Sequence, residues 1–481
     1  MRRSILSVAV AFALAGCMMG PDYKRPQIDT PKAYRVEIKS ANDLVNTAWW
    51  EQFKDPVMNE LIKTALAENK DVRIAAARVE EFLGRYGVTR SQLFPQVGAQ
   101  FGAGSQRISS STQPAIGAGQ TNTFDTYSLD LGVSWEIDLW GKLRRATEAA
   151  RADLLATEQA RQTVILSLTS AVATSYVTLI DLDRQLAIAK STADSRAEYY
   201  RIFKLRFEGG VVSEVELSQA RSDYEYALST VPTIEKQIAQ QENALSVLLG
   251  RNPGPIMRDR TLDKLVLPQV PSDLPSSLLE RRPDLRQSEQ QMIAANARIG
   301  VAKAQFFPSI SLTAILGTAS ASLGNLFRGP AQTWSYGGTV AQPIFTGGNL
   351  ISQLRVAEAQ QKTALLQYQK SIQTAFQEVN DALIDQSKTR EQLAAQARQV
   401  GALRDYARLA RLRYDNGFTS YLEVTDADTK LFNADLQYTQ AQGQLFFALI
   451  NVYKSMGGGW VVDAERMTTT GPAPKPATGA Q

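Results

Sequence analysis

Strict alternation of apolar and polar residues marks the segment "YSLDLGVSWEIDL", residues 127–139. Every second residue from Tyr127 to Leu139 is apolar, and the residues between them are small, polar or acidic. Because successive side chains of a β-strand point to opposite faces, this pattern predicts a strand with one apolar face and one wet face. The segment is about twice as long as a usual strand of about five or six residues. The fold must therefore use unusually long, two-faced strands.

Three further segments alternate in the same way and complete two β-hairpins. The predicted strands are about 96–106 and 125–139 in the first hairpin, and about 309–319 and 333–345 in the second. The segments between paired strands are rich in Ser, Gly, Pro and Gln, which favours exposed hairpin loops. The apolar faces of the other three strands carry Val97, Ala99, Phe101, Ile310, Leu312, Ala314, Leu316, Trp334, Tyr336 and Val340.

A long helical pattern follows each hairpin. No Gly or Pro interrupts residues 142–208 or 349–400, and both runs are rich in good helix formers. In the second run apolar residues recur every three or four positions, which is typical of a coiled-coil seam. A helix over 142–208 would be about 100 Å long at 1.5 Å per residue. We therefore predict two rods, one at 142–208 and one beginning at 349, rather than a compact globule.

Each rod ends in a turn and is followed by a shorter helix. The pairs Gly209-Gly210 and Asn416-Gly417 can adopt the left-handed conformations that end helices. Ser213-x-x-Glu216 and Ser420-x-x-Glu423 predict capping boxes at the start of the next helices. The predicted return helices cover about 214–249 and 421–456.

The chain contains one structural unit twice. "SQLFPQVGAQFG" (91–102) recurs as "AQFFPSISLTAI" (304–315), and "RFEGGVVSEVEL" (206–217) recurs as "RYDNGFTSYLEV" (413–424). Self-similarity at this distance indicates an internal repeat. The number of residues that separates the two copies is smaller for the second pair of motifs than for the first. A shorter loop in the second copy would explain this difference. The predicted divisions are a first repeat at 56–249, a Pro-rich equatorial connector at 250–276, a second repeat at 277–457 and a disordered tail at 458–481. Each repeat opens with a predicted helix, from Pro56 to about Gln92 in the first and from Pro283 to about Gln305 in the second.

The N-terminus predicts export and lipidation. A basic start, an apolar run and "LAGC" at 14–17 are typical of a secretory signal peptide whose end resembles a bacterial lipobox. We predict a signal peptide at 1–16, a covalent lipid such as palmitate on Cys17, and an extended lipidated segment at 17–55. Met18 stands where an aspartate would resemble an inner-membrane retention signal, which favours anchoring in outer-membrane lipid.

Composition narrows the function. Net charge is +4 on 52 basic and 48 acidic residues, which predicts no nucleic-acid partner. The chain has no histidine and one cysteine, so it lacks the commonest general base and metal ligand and cannot form an internal disulfide. We expect no enzymatic activity, no metal and no cofactor beyond the lipid. No later stretch has eighteen consecutive apolar residues, so no transmembrane helix is expected.

Four strands with one apolar face are too few to close a membrane barrel, which needs at least about eight. Open sheet edges do not occur in lipid. Either the strands form a water-exposed sheet, as in soluble sandwiches, or several chains pool them. Aromatic residues where the hairpins meet the helices favour pooling, because such residues line membrane interfaces. The predicted interfacial aromatics are Phe94, Trp140, Phe306, Phe307 and Phe345.

This order of elements, written twice, resembles the TolC-like outer membrane efflux proteins, and the lipobox resembles their OprM/NodT-type lipoprotein branch. The similarity extends from the lipobox to about Gly457. The motifs that carry it are "GPDYKRP" (20–26), "WWEQFKDPVMNELI" (49–62), "SWEIDLWGKLRR" (134–145), "RRPDLRQSEQQMIAANARIGVAKAQFFPSI" (281–310), "QPIFTGGNL" (342–350) and "YLEVTDADTKLFNADL" (421–436).

The resemblance implies a mixed α and β fold in a homotrimer. Three chains would pool four strands each into a 12-stranded transmembrane β-barrel, continued by a long periplasmic α-helical barrel. Such proteins are passive exit ducts of tripartite multidrug efflux systems in the outer membrane of Gram-negative bacteria. Their partners are a periplasmic membrane-fusion adaptor and an inner-membrane pump, here expected to be proton-driven.

The resemblance also implies roles at the helix turns. Gly210, Val211, Gly417 and Phe418 would form tips on which the adaptor docks, although the turns can also serve as helix caps alone. Leu422, Glu423, Asp426 and Tyr414 fall where the family carries its periplasmic gate, with Asp428 a weaker candidate. Crowded carboxylates around one axis should attract cations and raise some of their pKa values. Acids in a first helical turn are also favoured by the helix dipole alone, and Glu423 also fits a capping role.

Two arginines of some family gates are absent, since this chain has Thr419 and Thr429 at those positions. The contacts that replace them cannot be read from the sequence. Alternative functions are a duct for protein secretion or metal-ion efflux, or a coiled-coil lipoprotein scaffold that conducts nothing.

Overall fold

The computed structural model describes residues 18–27, 48–109, 123–267 and 281–458. The predicted signal peptide, Cys17, the end of the connector and nearly all of the predicted tail lie outside these residues. The described α-helices are α1 (Pro56–Glu68), α2 (Lys70–Ser91), α3 (Lys142–Glu208), α4 (Glu214–Leu248), α5 (Pro283–Ala304), α6 (Asn349–Asp415) and α7 (Tyr421–Ser455). The strands are β1 (Gln96–Arg107), β2 (Thr123–Ile137), β3 (Ser309–Ser320) and β4 (Gln332–Ala341).

The four strands form one antiparallel sheet in the order β1-β2-β3-β4. Val133 on β2 lies opposite Val97 on β1 and Ala314 on β3, and Ala314 lies opposite Tyr336 on β4. The alternating residues of all four strands therefore share one apolar face, as the sequence predicts. The fourth strand is shorter than predicted and ends at Ala341, because Pro343 cannot donate a hydrogen bond to a sheet.

This apolar face is open to the surroundings of the single chain. Tyr336 is 81% exposed, and Phe101, Leu131, Leu316 and Trp334 are exposed as well. Among the described residues, the outer strands β1 and β4 each have one edge without a paired strand. An exposed apolar surface of this kind marks a site that contacts lipid or another protein.

The predicted helix from Pro56 to Gln92 is in fact two helices. Asn69 has an extended conformation, with ψ of 133°, and separates α1 from α2. Its side-chain Oδ1 accepts hydrogen bonds from the backbone N–H groups of Asp71 and Val72, which caps the second helix. Its Nδ2 donates to the carbonyl oxygen of Leu248 at 2.9 Å, so the break also fixes α4. Asparagine favours N-caps over helix interiors, so Asn69 was the available signal, and the prediction of one continuous helix overlooked it.

The long helices and the return helices have the same lengths in the two copies. The rods α3 and α6 have 67 residues each, and the return helices α4 and α7 have 35 residues each. Gly401 lies inside α6, so the second rod continues beyond the Gly-free run from which it was predicted. The copies differ in the hairpins, where residues 108–122 join the first pair of strands and the shorter 321–331 joins the second.

The chain folds into two compact units, and neither coincides with a sequence repeat. Unit 1 consists of 1–27, 78–158 and 287–369, and unit 2 of 28–77, 159–286 and 370–481. Each unit takes segments from both repeats, so the repeat divisions predicted from the sequence describe its internal similarity and not its compact units.

Unit 2 contains an extensive apolar core. Trp49 stacks on Tyr453 with ring centroids 5.5 Å apart, and the hydroxyl of buried Tyr176 donates to Asp55 Oδ2. One stretch of α3 is apolar and long enough to cross a membrane by composition. Since 61% of that stretch is buried within the protein, core packing accounts for its apolar residues.

Candidate gate at the helix turns

The same backbone turn ends both long helices. Gly210 and Gly417 have positive φ values of 71° and 75°, which glycine adopts without strain. After α3, the N–H of Gly210 donates to the carbonyl of Phe207 at 2.9 Å, and that of Val211 to the carbonyl of Arg206 at 2.8 Å. After α6, Gly417 and Phe418 make the same pair of bonds. Both turns are thus Schellman motifs, as the glycine pattern indicates.

The residues after the two glycines project into solvent. Val211 is 74% exposed and Phe418 is 76% exposed. Apart from the adjoining residues, no atom of the described chain lies within 4 Å of a Cβ placed on Gly210 or Gly417. The four predicted docking residues are therefore accessible in the single chain. Adaptor docking itself stays a prediction.

An aromatic cluster lies beneath the turns. Phe203 is fully buried on α3, with its ring centroid 4.2 Å from that of Tyr421 and 6.2 Å from that of Tyr414. The predicted gate residue Tyr414 is half-buried in this cluster, and burial raises its pKa while the hydrogen bond to Arg206 lowers it. Tyr414 thus links the end of α6 to the start of α7.

Glu423 does not form the predicted capping box. Ser420 makes no side-chain cap bond. Glu423 instead accepts a hydrogen bond from the Thr419 hydroxyl and forms an ion pair with Arg413, with Nη1 and Oε1 2.7 Å apart. The corresponding box after the first turn is confirmed, because the Ser213 Oγ accepts from the N–H of Glu216 and Glu216 Oε2 accepts from the N–H of Ser213.

Asp426 also has a cation of its own. Lys430 Nζ lies 2.7 Å from Asp426 Oδ2, and the Tyr406 hydroxyl donates to the same oxygen at 3.2 Å. The hydrogen bond from Lys430 lowers the pKa of Asp426 below its ordinary value. Within the single chain this shift is opposite to the rise predicted from crowded carboxylates. Leu422, the predicted apolar constriction, is 61% exposed.

Arginines from neighbouring helices occupy this region in place of the absent gate arginines. Arg411 pairs with Asp428 at 2.7 Å and its guanidinium lies 4.4 Å from the ring centroid of Tyr199. Burial raises the pKa of Asp428, although Arg411 opposes the shift. Arg196 on α3 donates to the Thr429 hydroxyl at 3.3 Å. Sequence reasoning missed these arginines because each bonds to a residue on another helix.

A different group of aromatics lies where the sheet meets the helices. Trp140 stacks on Phe307 with centroids 4.8 Å apart, and Trp140 Nε1 donates to the carbonyl of Pro308 at 2.9 Å. Phe94 is exposed, and Phe345 is 90% exposed beyond the end of β4. The structure brings together Trp140 and Phe307, whereas Phe94 and Phe345 stack on no other ring among the described residues. Among the described residues, no group of His, Cys, Asp or Glu could hold a metal ion.

A family model for the outer membrane efflux protein matches residues 61–251 and 274–458. This chain belongs to the outer membrane efflux protein family. The predicted family is therefore confirmed. The probable efflux pump outer membrane protein TtgC of Pseudomonas putida is 37% identical over 469 residues, which cover 96% of each chain. The cation efflux system protein CusC of Escherichia coli is 35% identical over 467 residues, covering 95% of this chain and 98% of CusC.

The fold agrees with solved channels of this family. The Campylobacter jejuni CmeC outer membrane channel is 25% identical in sequence to this chain, and comparison with its crystal structure gives a TM-score of 0.86. The match covers 94% of this chain and 98% of CmeC. The predicted fold class, a mixed α and β outer-membrane channel with a repeated unit, is confirmed.

This efflux protein holds its described N-terminal residues against the helical end of the sheet. The N–H of Met19 donates to the carbonyl of Trp140 at 3.1 Å, and Met18 packs against Gly141. Arg145, with a side chain only 2% exposed, donates to the carbonyl of Met19 and pairs with Asp22 at 2.7 Å. Met18, the residue next to Cys17, is thereby fixed beside Trp140, one of the predicted interfacial aromatics, while Cys17 itself lies outside the described residues.

Proposed function

We propose that this chain is the exit channel of a tripartite efflux system, through which small toxic organic molecules leave a Gram-negative cell. Three copies form one channel, a periplasmic adaptor docks on the two helix turns, and a proton-driven inner-membrane pump supplies substrate and energy. The channel is passive and needs no cofactor apart from the lipid on Cys17.

The open sheet is the observation that carries the proposal. Its apolar face is exposed, and within the part of the chain that the structure describes its two outer strands each have an unpaired edge. In a bilayer every backbone N–H and C=O must be paired, so the edges have to meet those of other copies. Three copies supply twelve strands, enough for a barrel that exposes its apolar face to lipid. A scaffold that stays in water has no use for such a face.

The position of Met18 supports a lipid anchor. Met18 and Met19 lie against Trp140 and Gly141, at the helical end of the strands. Tryptophan is enriched at membrane interfaces. A diacylated Cys17 would therefore enter the bilayer close to where the strands leave it, without any stretching of the chain.

The gate in this proposal is a ring of ion pairs. Glu423 and Asp426 are one helical turn apart on α7, and each is bound by a cation of the same chain, Arg413 and Lys430. Around a threefold axis they would present alternating charges, with Leu422 as the apolar constriction. Opening would require the helices to separate and would expose the carboxylates to cations.

The cargo is assigned to organic compounds for a chemical reason. Soft and imidazole ligands move copper-type ions between sites. This chain has no histidine, its one cysteine is the lipidation candidate, and its eight methionines are scattered along the sequence rather than arranged as a relay. Expression of this protein in a strain that lacks its own outer-membrane channel should restore resistance to solvents and antibiotics. Restored resistance to metal ions alone would reassign the cargo to cations, as in the name of CusC.

The channel is tested by one pair of neighbouring substitutions on β4. Tyr336→Lys places a charge on the apolar face, where it should destabilise the inserted barrel by about 2–4 kcal/mol. Ser335→Lys adds the same charge on the opposite face and should be tolerated. The measurements are native mass, thermal unfolding in detergent and single-channel conductance. A monomeric wild type without conductance, or equal effects of the two substitutions, would reject the proposal.

The gate is tested by Glu423→Ala combined with Asp426→Ala. We expect a larger conductance and weaker cation preference than in the wild type. Unchanged conductance would retain the channel and discard these residues as its gate. Asp194→Ala, at an exposed position on α3, is the matched control.

A further inference from the structure

A buried carboxyl lies in the contact between α3 and α7. Asp181 on α3 is 7% exposed, and its Oδ2 accepts a hydrogen bond from Gln185 Nε2 at 2.9 Å. Its Oδ1 is buried and has no hydrogen-bond partner in the described part of the chain. Buried polar atoms are nearly always hydrogen-bonded, so a buried carboxyl oxygen without a partner is unusual.

Gly443 on α7 lies directly over the carboxyl. A Cβ at this position would lie 3.3 Å from Cγ and 3.4 Å from Oδ2 of Asp181. One turn away, Gln440 Nε2 donates to Gln185 Oε1 at 3.3 Å. Hydrogen bonds therefore run from α7 through Gln185 to Asp181, and a glycine is needed where the helices are closest.

The charged groups on the described neighbouring elements have partners other than Asp181 or lie in solvent. Arg258 binds Asp183 and Glu242, and Asp263 accepts a hydrogen bond from Gln442. Arg184, also on α3, is exposed. α7 carries no acidic or basic residue between Asp435 and Lys454.

Burial is the dominant influence on this carboxyl. It raises the pKa of Asp181 to about 7, while the hydrogen bond from Gln185 acts in the opposite direction. An exposed aspartate titrates near 3.9. The packed contact therefore retains a proton over a pH range in which an exposed carboxyl would have lost it.

We propose that protonation of Asp181 switches the contact between α3 and α7 from a loosened to a closed state. With the proton bound, Gly443 packs on a neutral group. Without it, the same contact would bury an unpaired charge, which costs far more than an unpaired neutral polar atom. Separation of the helices would give the carboxylate access to water.

The direction of the pH dependence follows from linkage. Since the packed state binds the proton more tightly than the loosened state, the contact is strongest at low pH. It weakens as the pH rises from about 4 to about 7, and it becomes independent of pH above that range. The switch would reach the gate through α7, which carries Leu422, Glu423 and Asp426 at its other end. This consequence for the gate, but not the switch itself, rests on the proposed function.

The test is hydrogen exchange of the purified full-length protein between pH 5 and pH 8, read on peptides of α7 around Gly443. In the wild type, protection should fall between pH 5 and pH 7 by up to about tenfold per pH unit. Asp181→Asn, a permanently neutral side chain, should keep high protection at every pH. Asp194→Asn removes an exposed carboxylate from the same helix and should behave as the wild type.

A second variant should change the pH at which the contact loosens without abolishing the pH dependence. Gln185→Leu deletes the hydrogen bond that stabilises the carboxylate, so the midpoint should shift to higher pH. Infrared spectra should show a protonated carboxylic acid at pH 6 that is absent in Asp181→Asn, a readout that also applies if a variant folds poorly. Wild-type protection that does not change with pH, or an equal slope in Asp181→Asn, would overturn the proposal. Absence of conductance in every variant, with this exchange pattern intact, would instead contradict the channel function.

Discussion

The two helix turns have the same backbone and different side-chain bonds. Both are Schellman turns followed by Ser-x-x-Glu. After the first turn, Ser213 and Glu216 cap each other. After the second, Glu423 binds Arg413 and Thr419, and the Ser420 side chain makes no cap hydrogen bond. The repeated motif thus determines the turn, while the surrounding residues decide what its glutamate binds.

One residue explains much of this difference. The second turn has Thr419 where the first has Val212. The threonine hydroxyl binds the Glu423 carboxylate, and valine has no group that could bind Glu216. Arg206 and Arg413 occupy the same position in the repeat, yet Arg206 binds Tyr414 and Arg413 binds Glu423. Both arginines thereby contact residues of the candidate gate.

The largest expected effect comes from the core that the two turns share. Phe203→Ala would leave a cavity under Tyr414 and Tyr421 and should destabilise the region by about 3–5 kcal/mol. Hydrogen exchange should rise at both turns. Phe207→Ala, at an exposed position one turn later, is the control. An increase at only one turn would show that the turns do not share this core.

The caps should respond unequally to the same substitution. Ser213→Ala removes a capping box and should cost about 1 kcal/mol of local stability. Ser420→Ala removes no side-chain bond and should be nearly neutral. Local opening free energies from hydrogen exchange at the starts of α4 and α7 measure the two effects. Equal losses would show that the two serines contribute alike to their helices.

Thr419→Val should make the second turn more like the first. Without the threonine hydroxyl, Glu423 becomes available to Ser420, and Ser420→Ala in this background should become destabilising. A double-mutant cycle measures the coupling, which we expect at about 0.5–1 kcal/mol. Additive effects would mean that Arg413 alone holds Glu423 away from its cap.

The smallest effect is the response of Asp426 to acid. Its pKa is lowered in the folded chain, so the pair with Lys430 contributes above the ordinary value of 3.8 and is lost as the pH falls through the lower folded value. The cation preference of the channel should decline only below about pH 4. The reversal potential under a salt gradient measures it, with Asp426→Asn as the pH-insensitive comparison.

Periodicity predicted most of the fold because the elements are long. The alternation at 127–139 and the uninterrupted run at 142–208 leave little choice of structure. The predicted element bounds were wrong at positions where a single side chain ends a helix or a strand. Asn69 breaks a helix through a cap that bonds to distant Leu248, and Pro343 ends β4 early.

The candidate site was harder to predict because its bonds cross between helices. The motif placed Glu423 at the start of α7 correctly, but its partner Arg413 lies on α6. Arg196 and Thr429 are 233 residues apart in the sequence. The carboxyl of Asp181 was not identified at all, since one aspartate in a long helix gives no sign of burial before α7 is packed against it.

The close approach of Gly20 and Gly300 has a consequence for the order of folding. A Cβ on Gly20 would lie 2.5 Å from the Cα of Gly300, and Pro21 accepts a hydrogen bond from Asn296, 275 residues later. Contacts between such distant residues form late, because the intervening chain must first be organised. The N-terminal residues Gly20 and Pro21 can therefore take their places only after the whole first repeat and the first helix of the second repeat have been made. A lipid attached to it would tether the chain before the fold could hold its own terminus.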